Sequence, residues 1–179
     1  ADRLGDPTPR KNGRLTLDPL VHVDWIGLIL FTLFGYGWAK PVTVNPSNFR
    51  NERWGDIIVS LAGPLANFLL AIAAAVVYAV LIGLSSSSKA MDTILSVVDY
   101  IIYLNIIFFL LNLIPIPPFD GYRVVKDLLF RGNIRFFMKY EQVSIFILFA
   151  FVLLGIFDLI ISRPAFLIYR SLVAFGLGL

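Results

Sequence analysis

Cysteine is absent from the 179-residue sequence, and histidine occurs only once, as His22. Without cysteine the chain can form neither disulfide bonds nor thiolate metal sites. An initiator methionine and a signal peptide are missing too, since residues 1–6 are mostly polar and carry no basic or apolar leader region. This opening predicts a sequence that was entered partway through a longer protein.

Charged residues are also scarce, because they form 15% of the chain against 58% hydrophobic residues, with a mean hydropathy of +0.81. Soluble domains are roughly 45–50% apolar, and they scatter those residues with helix or strand periods. Here the apolar residues form long runs. We therefore expect an all-α membrane protein, a polytopic transmembrane helix bundle that forms a single membrane domain over residues 1–179 with the lipid bilayer as its surroundings. The basic residues lie between the apolar runs, so the net charge of +3 is explained by membrane topology. No nucleic-acid partner is expected.

Three runs predict transmembrane helices, at 57–84, 99–115 and 143–162. Each is close to or above the roughly 20 residues that cross a bilayer. Residues 165–179 are apolar but short, which favours a half-helix or an interfacial segment over a full crossing.

Basic residues predict the orientation of these spans. Lys89 is the only one beside the serine-rich loop at 85–88, whereas the segments before the first span and after the second hold Lys40, Arg50, Arg53, Arg123, Lys126, Arg131, Arg135 and Lys139. Because Lys and Arg concentrate in cytoplasmic loops, the serine-rich loop is predicted to face outward. Arg163 and Arg170 conflict with this orientation if the third span crosses fully.

The first 56 residues predict an interfacial region with short membrane-associated β-strands and a re-entrant segment. Residues 15–17 and 42–45 alternate apolar and polar side chains, and prolines bracket the second of these, so it is predicted as an edge strand. Residues 23–38 are apolar but short and interrupted by glycines, which favours a re-entrant or interfacial segment.

The stretch 112–122 carries the strongest candidate for chemistry. Asp120 lies just past a long apolar run, on main chain that three prolines interrupt. A carboxylate at such a place is costly unless it meets a cation, a proton or water, so it is a candidate functional group. The alternative is that Asp120 lies at the membrane interface and caps the helix that follows.

Several motifs in this order resemble the site-2 protease family, the M50-type zinc metalloproteases that cut substrates within the membrane. The residues that carry the resemblance are Asn112, Pro115, Pro117, Asp120 and Gly121, then Gly63, Pro64 and Asn67, and the segments 13–24 and 37–46. The match covers about two-thirds of the chain and is typical of compact bacterial members without PDZ or CBS domains. It implies a multi-pass protein of the bacterial cytoplasmic membrane.

The resemblance also implies roles for single residues. Asp120 corresponds to the family's third Zn²⁺ ligand, and Asn112 to the asparagine that positions the substrate or stabilises the oxyanion. The other two ligands and the general base come from a His-Glu-x-x-His helix, which this sequence lacks; it is expected upstream of Ala1 as a missing N-terminal segment. His22 is expected to be a structural residue, because a lone histidine is more often hydrogen-bonded than a metal ligand, and the family pattern also treats its position as a non-ligand. Recruitment of His22 as a zinc ligand is the alternative. The chain alone is therefore predicted to be inactive.

Two further groups are candidate substrate-binding residues. Asn67 lies within the first predicted span, where a polar side chain more often forms an interhelical hydrogen bond than it contacts a substrate. The predicted edge strand of Val42, Thr43, Val44 and Asn45 is a candidate for binding an unwound substrate by strand addition. The expected partners are transmembrane protein or peptide substrates.

The function these motifs predict is zinc-dependent intramembrane proteolysis by the intact protein. A non-catalytic membrane scaffold or pseudoprotease is the alternative, because residues 1–179 lack a general base and two zinc ligands. A transporter would predict polar residues distributed over several spans, with repeated halves. The sequence shows no internal repeat.

Overall fold

The computed structural model describes residues 1–34, 39–84, 88–129 and 134–176, with the main chain alone for Phe34 and residues 134–136. The chain divides into two compact units, Ala1–Asp56 and Ile57–Leu179. The first unit holds the short helices α1 (Thr8–Lys11) and α2 (Trp25–Phe34) and three single 3₁₀ turns.

A buried carboxylate, Asp6, organises the first unit. Its Oδ1 accepts hydrogen bonds from the main-chain N–H and hydroxyl of Thr8 and, at 2.9 Å, from the Nδ2 of Asn48; its Oδ2 accepts one from the N–H of Asn45 at 2.9 Å. Burial alone raises the pKa of this carboxyl, but the hydrogen bonds from Asn48, Thr8 and Asn45 together hold the pKa of Asp6 well below its ordinary value. Asp6 thus joins the chain's first residues to the segment around residue 45.

The strands predicted at 15–17 and 42–45 are wrong. Residues 15–17 form a bend, residues 42–45 are irregular, and the described parts of the chain contain no strand. A strand needs a ladder partner, and side chains bind the second segment instead. The Nδ2 of Asn12 donates to the Oγ1 of Thr43 at 2.7 Å, and the N–H of Asn45 donates to the carboxylate of Asp6.

The re-entrant or interfacial segment predicted at 23–38 contains α2. Asp24 caps this helix, since its Oδ1 accepts hydrogen bonds from the N–H groups of Ile26 and Gly27 at 3.0 Å each. Ten helical residues rise about 15 Å, which is half the thickness of a bilayer's hydrocarbon core. Residues 35–38 lie outside the described residues, and a re-entrant path stays a prediction.

The prediction of an all-α membrane protein is confirmed by the remaining elements. They are α3 (Glu52–Gly83), α4 (Lys89–Asn112), α5 (Asp120–Leu129), α6 (Ile134–Leu153), a π-helical turn (Asp158–Ser162) and α7 (Arg163–Gly176). Among the described residues, three helical stretches are long and apolar enough to cross a membrane: Glu52–Gly83, Lys89–Asn112 and Asp158–Gly176. Only 11% of the most apolar part of each is buried, so most of their apolar surface is available to lipid.

Small side chains bring the helices of the second unit together. Ala71 and Ala75 of α3, Ile102 and Ile106 of α4 and Ala165 of α7 form one buried cluster. Gly176 at the end of α7 lies so close to α3 that a Cβ there would be 3.2 Å from the carbonyl oxygen of Ala75. Such close approach increases van der Waals contact, which drives helix association in lipid.

The end of the chain folds differently from the prediction. The run at 143–162 is divided, because α6 ends at Leu153 and Gly155 follows with a φ of 66°. This left-handed conformation ends the helix at little steric cost in glycine. Residues 165–179, predicted as a separate short segment, instead belong as far as Gly176 to the helical stretch that begins at Asp158.

Candidate functional site

The connection from α4 to α5 contains the candidate residues Asn112 and Asp120. Asn112 is the last residue of α4 and Asp120 the first of α5. Three prolines between them have no N–H, and the remaining main chain turns through short-range bonds, such as that from the N–H of Phe119 to the carbonyl of Ile116 at 3.0 Å. The connection is therefore a compact turn that sets Asp120 at the positive end of a helix, where a carboxylate is favoured.

Gly121 lets α5 begin directly against the end of α4. A Cβ at this position would lie 2.3 Å from the carbonyl oxygen of Leu113 and 2.8 Å from that of Ile114. Both atoms belong to the main chain, so they cannot move aside as a flexible side chain would. Only glycine fits here, and its fit fixes the position of Asp120 relative to α4.

The carboxylate of Asp120 faces α3 at Gly63. A Cβ on Gly63 would be 3.4 Å from the Oδ2 of Asp120, so the missing side chain leaves space beside a half-buried carboxylate. Pro64, the next residue, is buried inside the helix and has no N–H for the carbonyl of Ser60. The hydroxyl of Ser60 is buried as well and has no hydrogen-bond partner in the described part of the protein. The two motif segments around Gly63 and Asp120, distant in sequence, thus meet in space.

The two candidate asparagines differ in their hydrogen bonds. Asn112 donates from its Nδ2 to the carbonyl of Phe108 at 3.0 Å, within its own helix. Asn67 follows Gly63 by four residues, so it lies on the same face of α3 about 6 Å further along the axis. The interhelical hydrogen bond that Asn67 was expected to form is not present among the described residues. Its amide is half-buried and one turn from the gap beside Asp120.

Side chains of α5 and α6 hold the connection in place, a role that no motif in the sequence indicates for them. The hydroxyl of Tyr122 donates to the Oε1 of Glu141 at 2.7 Å, and Lys126 lies 3.5 Å from the same oxygen. The hydroxyl of Tyr140 donates to the carbonyl of Pro115 at 3.0 Å. Burial, followed by the hydrogen bond and charge of Glu141, raises the pKa of Tyr122, which keeps its hydroxyl protonated as a donor. The only sequence signal was that Tyr122 follows the Asp-Gly pair directly.

An apolar cleft of about 520 Å³ borders the same connection. It lies between the end of α4, the proline-rich turn, α6 and the π-helical turn, and its lining includes Leu113, Pro115, Ile147, Phe151 and Ile160. A cleft of this size can hold apolar side chains.

The remaining candidates lie in the first unit. Val42, Thr43 and Asn45 are exposed and Val44 is half-buried. The main-chain groups of Val42, Thr43 and Val44 have no hydrogen-bond partner among the residues that the structure describes.

His22 fits the structural role expected for it. Its Nε2 lies 3.1 Å from the carbonyl oxygen of Thr16, and its own main-chain carbonyl accepts a hydrogen bond from the N–H of Lys40 at 3.0 Å. A ring nitrogen bonded to a main-chain carbonyl carries the proton and is not available as a metal ligand.

The described residues do not form a complete metal site. They contain no group of three His, Cys, Asp or Glu side chains that could hold an ion. A catalytic zinc normally has three protein ligands and one open position. Of the residues predicted to bind zinc, Asp120 fits one ligand position of such a site, since it offers a half-buried carboxylate beside Gly63.

Comparison with known proteins decides the family. The profile of Peptidase family M50 matches residues 79–155, which include the whole connection from α4 to α5. The chain is 40% identical over 133 residues to "Putative zinc metalloprotease YwhC" of Bacillus subtilis, covering 72% of this chain and 59% of that protein. It is 31% identical over 131 residues to "Putative zinc metalloprotease Rip2" of Mycolicibacterium smegmatis, covering 69% and 48%. The chain belongs to peptidase family M50.

This membership confirms the resemblance to site-2 proteases. The chain spans 59% of the length of the Bacillus subtilis relative and 48% of the length of the Mycolicibacterium smegmatis relative. No solved structure matches it. Zinc and proteolysis are part of the relatives' names, and for this chain they are a matter of proposal.

Proposed function

We propose that the intact protein is a zinc-dependent intramembrane protease of the site-2 type, to which this chain contributes Asp120 as a zinc ligand. The observation that carries the proposal is the half-buried carboxylate of Asp120 facing Gly63 on a membrane-spanning helix. A carboxylate at the edge of a membrane span is a functional candidate for binding a cation. Membership of family M50 supports a metal ion as this cation.

The other zinc ligands would come from outside residues 1–179. Two histidines and the catalytic glutamate of a His-Glu-x-x-His helix would complete the site, and this chain alone would then be inactive. Bound zinc would supply Lewis-acid activation of a water molecule and of the substrate carbonyl. The bacterial cytoplasmic membrane is the proposed location.

Asn112 would act on the substrate as a hydrogen-bond donor. One N–H of its amide is used within α4, towards Phe108, and the second remains available. A donor directed at the developing oxyanion is worth about 3 kcal/mol. Asn67, one turn from Gly63, would hydrogen-bond main-chain groups of an unwound substrate.

Substrate capture would use the segment around residue 43. A transmembrane substrate hides its carbonyls in helical hydrogen bonds, so it must unwind before cleavage. Val42 and Thr43 are exposed and Val44 is half-buried, and their main-chain groups have no hydrogen-bond partner among the described residues, which supports strand addition. Asn45, predicted with them, already uses its N–H on Asp6, so the capturing segment would end at Val44.

The ligand role of Asp120 can be separated from a helix-starting role by two variants of the full-length protein. Asp120→Asn keeps a side chain that favours helix starts but is a poor zinc ligand, whereas Asp120→His keeps a ligand and loses that preference. We expect zinc, measured by mass spectrometry on the purified protein, to be lost in Asp120→Asn and retained at least in part in Asp120→His. Cleavage of a membrane substrate should be lost with the zinc.

Asp92→Asn is the matched control, because it removes an exposed carboxylate from the first turn of α4. It should leave zinc content and cleavage unchanged. Full zinc content and cleavage in Asp120→Asn would refute the ligand assignment.

A non-catalytic scaffold is the second candidate. It is favoured by the finding that the described residues hold no set of three metal ligands. Reading the gene upstream of Ala1 separates the two candidates. Codons for His-Glu-x-x-His support the protease, and a start codon directly before the codon of Ala1 supports the scaffold.

A further inference from the structure

A second polar site lies among the membrane helices, remote from Asp120. It is a pocket of about 340 Å³ between α3, α4 and α7, lined by Tyr78, Leu95, Ser96, Asp99, Tyr100 and Tyr169. Asp99 precedes Asn112 by thirteen residues, so the pocket lies about 20 Å along α4 from the proposed zinc ligand's end of that helix. The two sites are therefore distinct.

One oxygen of Asp99 is used within the protein and the other is not. The hydroxyl of Tyr169 donates to the Oδ1 of Asp99, and the ring of Tyr169 packs edge-on against Tyr103 at a centroid distance of 6.0 Å. The Oδ2 of Asp99 and the hydroxyls of Tyr78 and Tyr100 have no hydrogen-bond partner among the described residues. The pocket thus offers a held carboxylate with one free oxygen and two free hydroxyls.

The depth of Asp99 makes this arrangement costly without a ligand. Asp99 lies ten residues after Lys89, about 15 Å along α4, and Tyr78 lies about 7.5 Å before the end of α3 at Gly83. Both helices are long and apolar enough to span the membrane. An ionised carboxylate within such a span is unfavourable unless it is paired.

We propose that this pocket binds a lysine or arginine side chain carried by a partner transmembrane helix. A carboxylate beside three tyrosine rings fits a cation that donates hydrogen bonds, because the rings attract positive charge and the carboxylate strengthens each bond. Tyr100 is 68% exposed, so the pocket opens to the outside of the described helices, where such a partner would lie.

The charges along α4 disfavour a lipid head group as the source of the cation. Lys89 lies two turns beyond Ser96 on the same face, nearer the helix end. A phosphatidylethanolamine bound to both Lys89 and Asp99 would place its phosphate at Lys89 and its ammonium deeper in the membrane, at Asp99. That is the reverse of the lipid's own order, in which the phosphate lies nearer the acyl chains.

The test uses the full-length protein in phosphatidylcholine nanodiscs and a synthetic leucine–alanine transmembrane peptide. One peptide carries a single lysine at the depth of Asp99, and the control peptide carries norleucine at the same position. Binding is measured by fluorescence energy transfer between labelled protein and labelled peptide. We expect the lysine peptide to bind about tenfold more tightly than the norleucine peptide.

Variants identify the pocket as the binding site. Asp99→Asn should abolish the preference for lysine, and Asp92→Asn, on the same face two turns away, should keep it. Tyr78→Phe removes a free hydroxyl without touching the bond between Asp99 and Tyr169, so it should weaken lysine binding even if Asp99→Asn fails to fold.

Equal binding of the two peptides, or an unchanged preference in both Asp99→Asn and Tyr78→Phe, would overturn the proposal. Loss of the preference when phosphatidylethanolamine replaces phosphatidylcholine would assign the pocket to the lipid ammonium instead.

Discussion

Replacing Gly121 with alanine tests how the α4–α5 connection positions Asp120. The new Cβ would meet the carbonyl oxygen of Leu113 at 2.3 Å and that of Ile114 at 2.8 Å, whereas real carbon–oxygen contacts lie above 3.0 Å. Neither atom can rotate away, so α5 and the end of α4 must separate by about 1 Å, at an overpacking cost of about 1–3 kcal/mol. Asp120 moves with α5, and a misplacement of about 1 Å in a catalytic geometry costs about 100-fold in rate.

The assays are thermal unfolding of the full-length protein in detergent and cleavage of a membrane substrate. Gly83→Ala is the matched control, because a Cβ at Gly83 meets nothing within 4 Å. That variant should unfold at the same or a slightly higher temperature, since alanine stabilises helices relative to glycine. Gly63→Ala makes only an ordinary 3.4 Å contact with Asp120, so it should keep its stability and lose activity by narrowing the gap. Unchanged stability and cleavage in Gly121→Ala would refute the reasoning.

Three further predictions concern other parts of the chain. Because the pKa of Asp6 is lowered in the folded protein, its stabilising contribution is present above the ordinary carboxyl pKa and is lost as pH falls below about 4. Proteolysis of the first unit should therefore accelerate on acidification, and this acceleration should be smaller in Asp6→Asn. Tyr122→Phe removes a hydrogen bond to the carboxylate of Glu141 and should lower the free energy of unfolding by about 1.5–3 kcal/mol, measured by thermal unfolding. This loss should be smaller in a Glu141→Leu background. An equal loss in both backgrounds would show that the hydrogen bond is not its cause. Asn112→Leu should reduce kcat of the full-length protein about 100-fold with little change in KM, because an oxyanion donor acts in the transition state; a raised KM with unchanged kcat would contradict that role.

Hydropathy was enough to predict the helical membrane class, but it did not locate the helix ends. The first span begins at Glu52, five residues before the predicted start, because the Oδ1 of Asn51 accepts a hydrogen bond from the N–H of Trp54 and polar residues form the first turn. Near the chain end, apolar residues continue through Gly155, so hydropathy stays high where the helix stops. Lipid accepts apolar residues on every face, and the periodic signal that marks a helix in a soluble protein is weak here.

The false strands have a different cause. Alternation around Thr43 resembled an edge strand, but a ladder partner is a long-range property that a single sequence does not contain. Side chains from the first twelve residues, among them Asn12 and Asp6, bind this segment instead.

The candidate site was predictable as residues and not as contacts. Family motifs identified Asp120, Asn112 and the Gly63 segment, yet only the folded chain brings Asp120 to Gly63. Asp99 was missed because the second span was predicted to begin at this residue, whereas α4 begins ten residues earlier, and its pairing with Tyr169, seventy residues away, leaves no local pattern.

Pro64 has a consequence for how α3 moves. Because the carbonyl of Ser60 receives no N–H from residue 64, the helix has one fewer axial restraint at this level, and bending concentrates there. The pivot lies next to Gly63, so tilting of the part of α3 that follows Pro64 would change the distance between α3 and the carboxylate of Asp120. Deformations of the surrounding bilayer, through changes in thickness or curvature, would thereby be transmitted to a carboxylate that they do not touch.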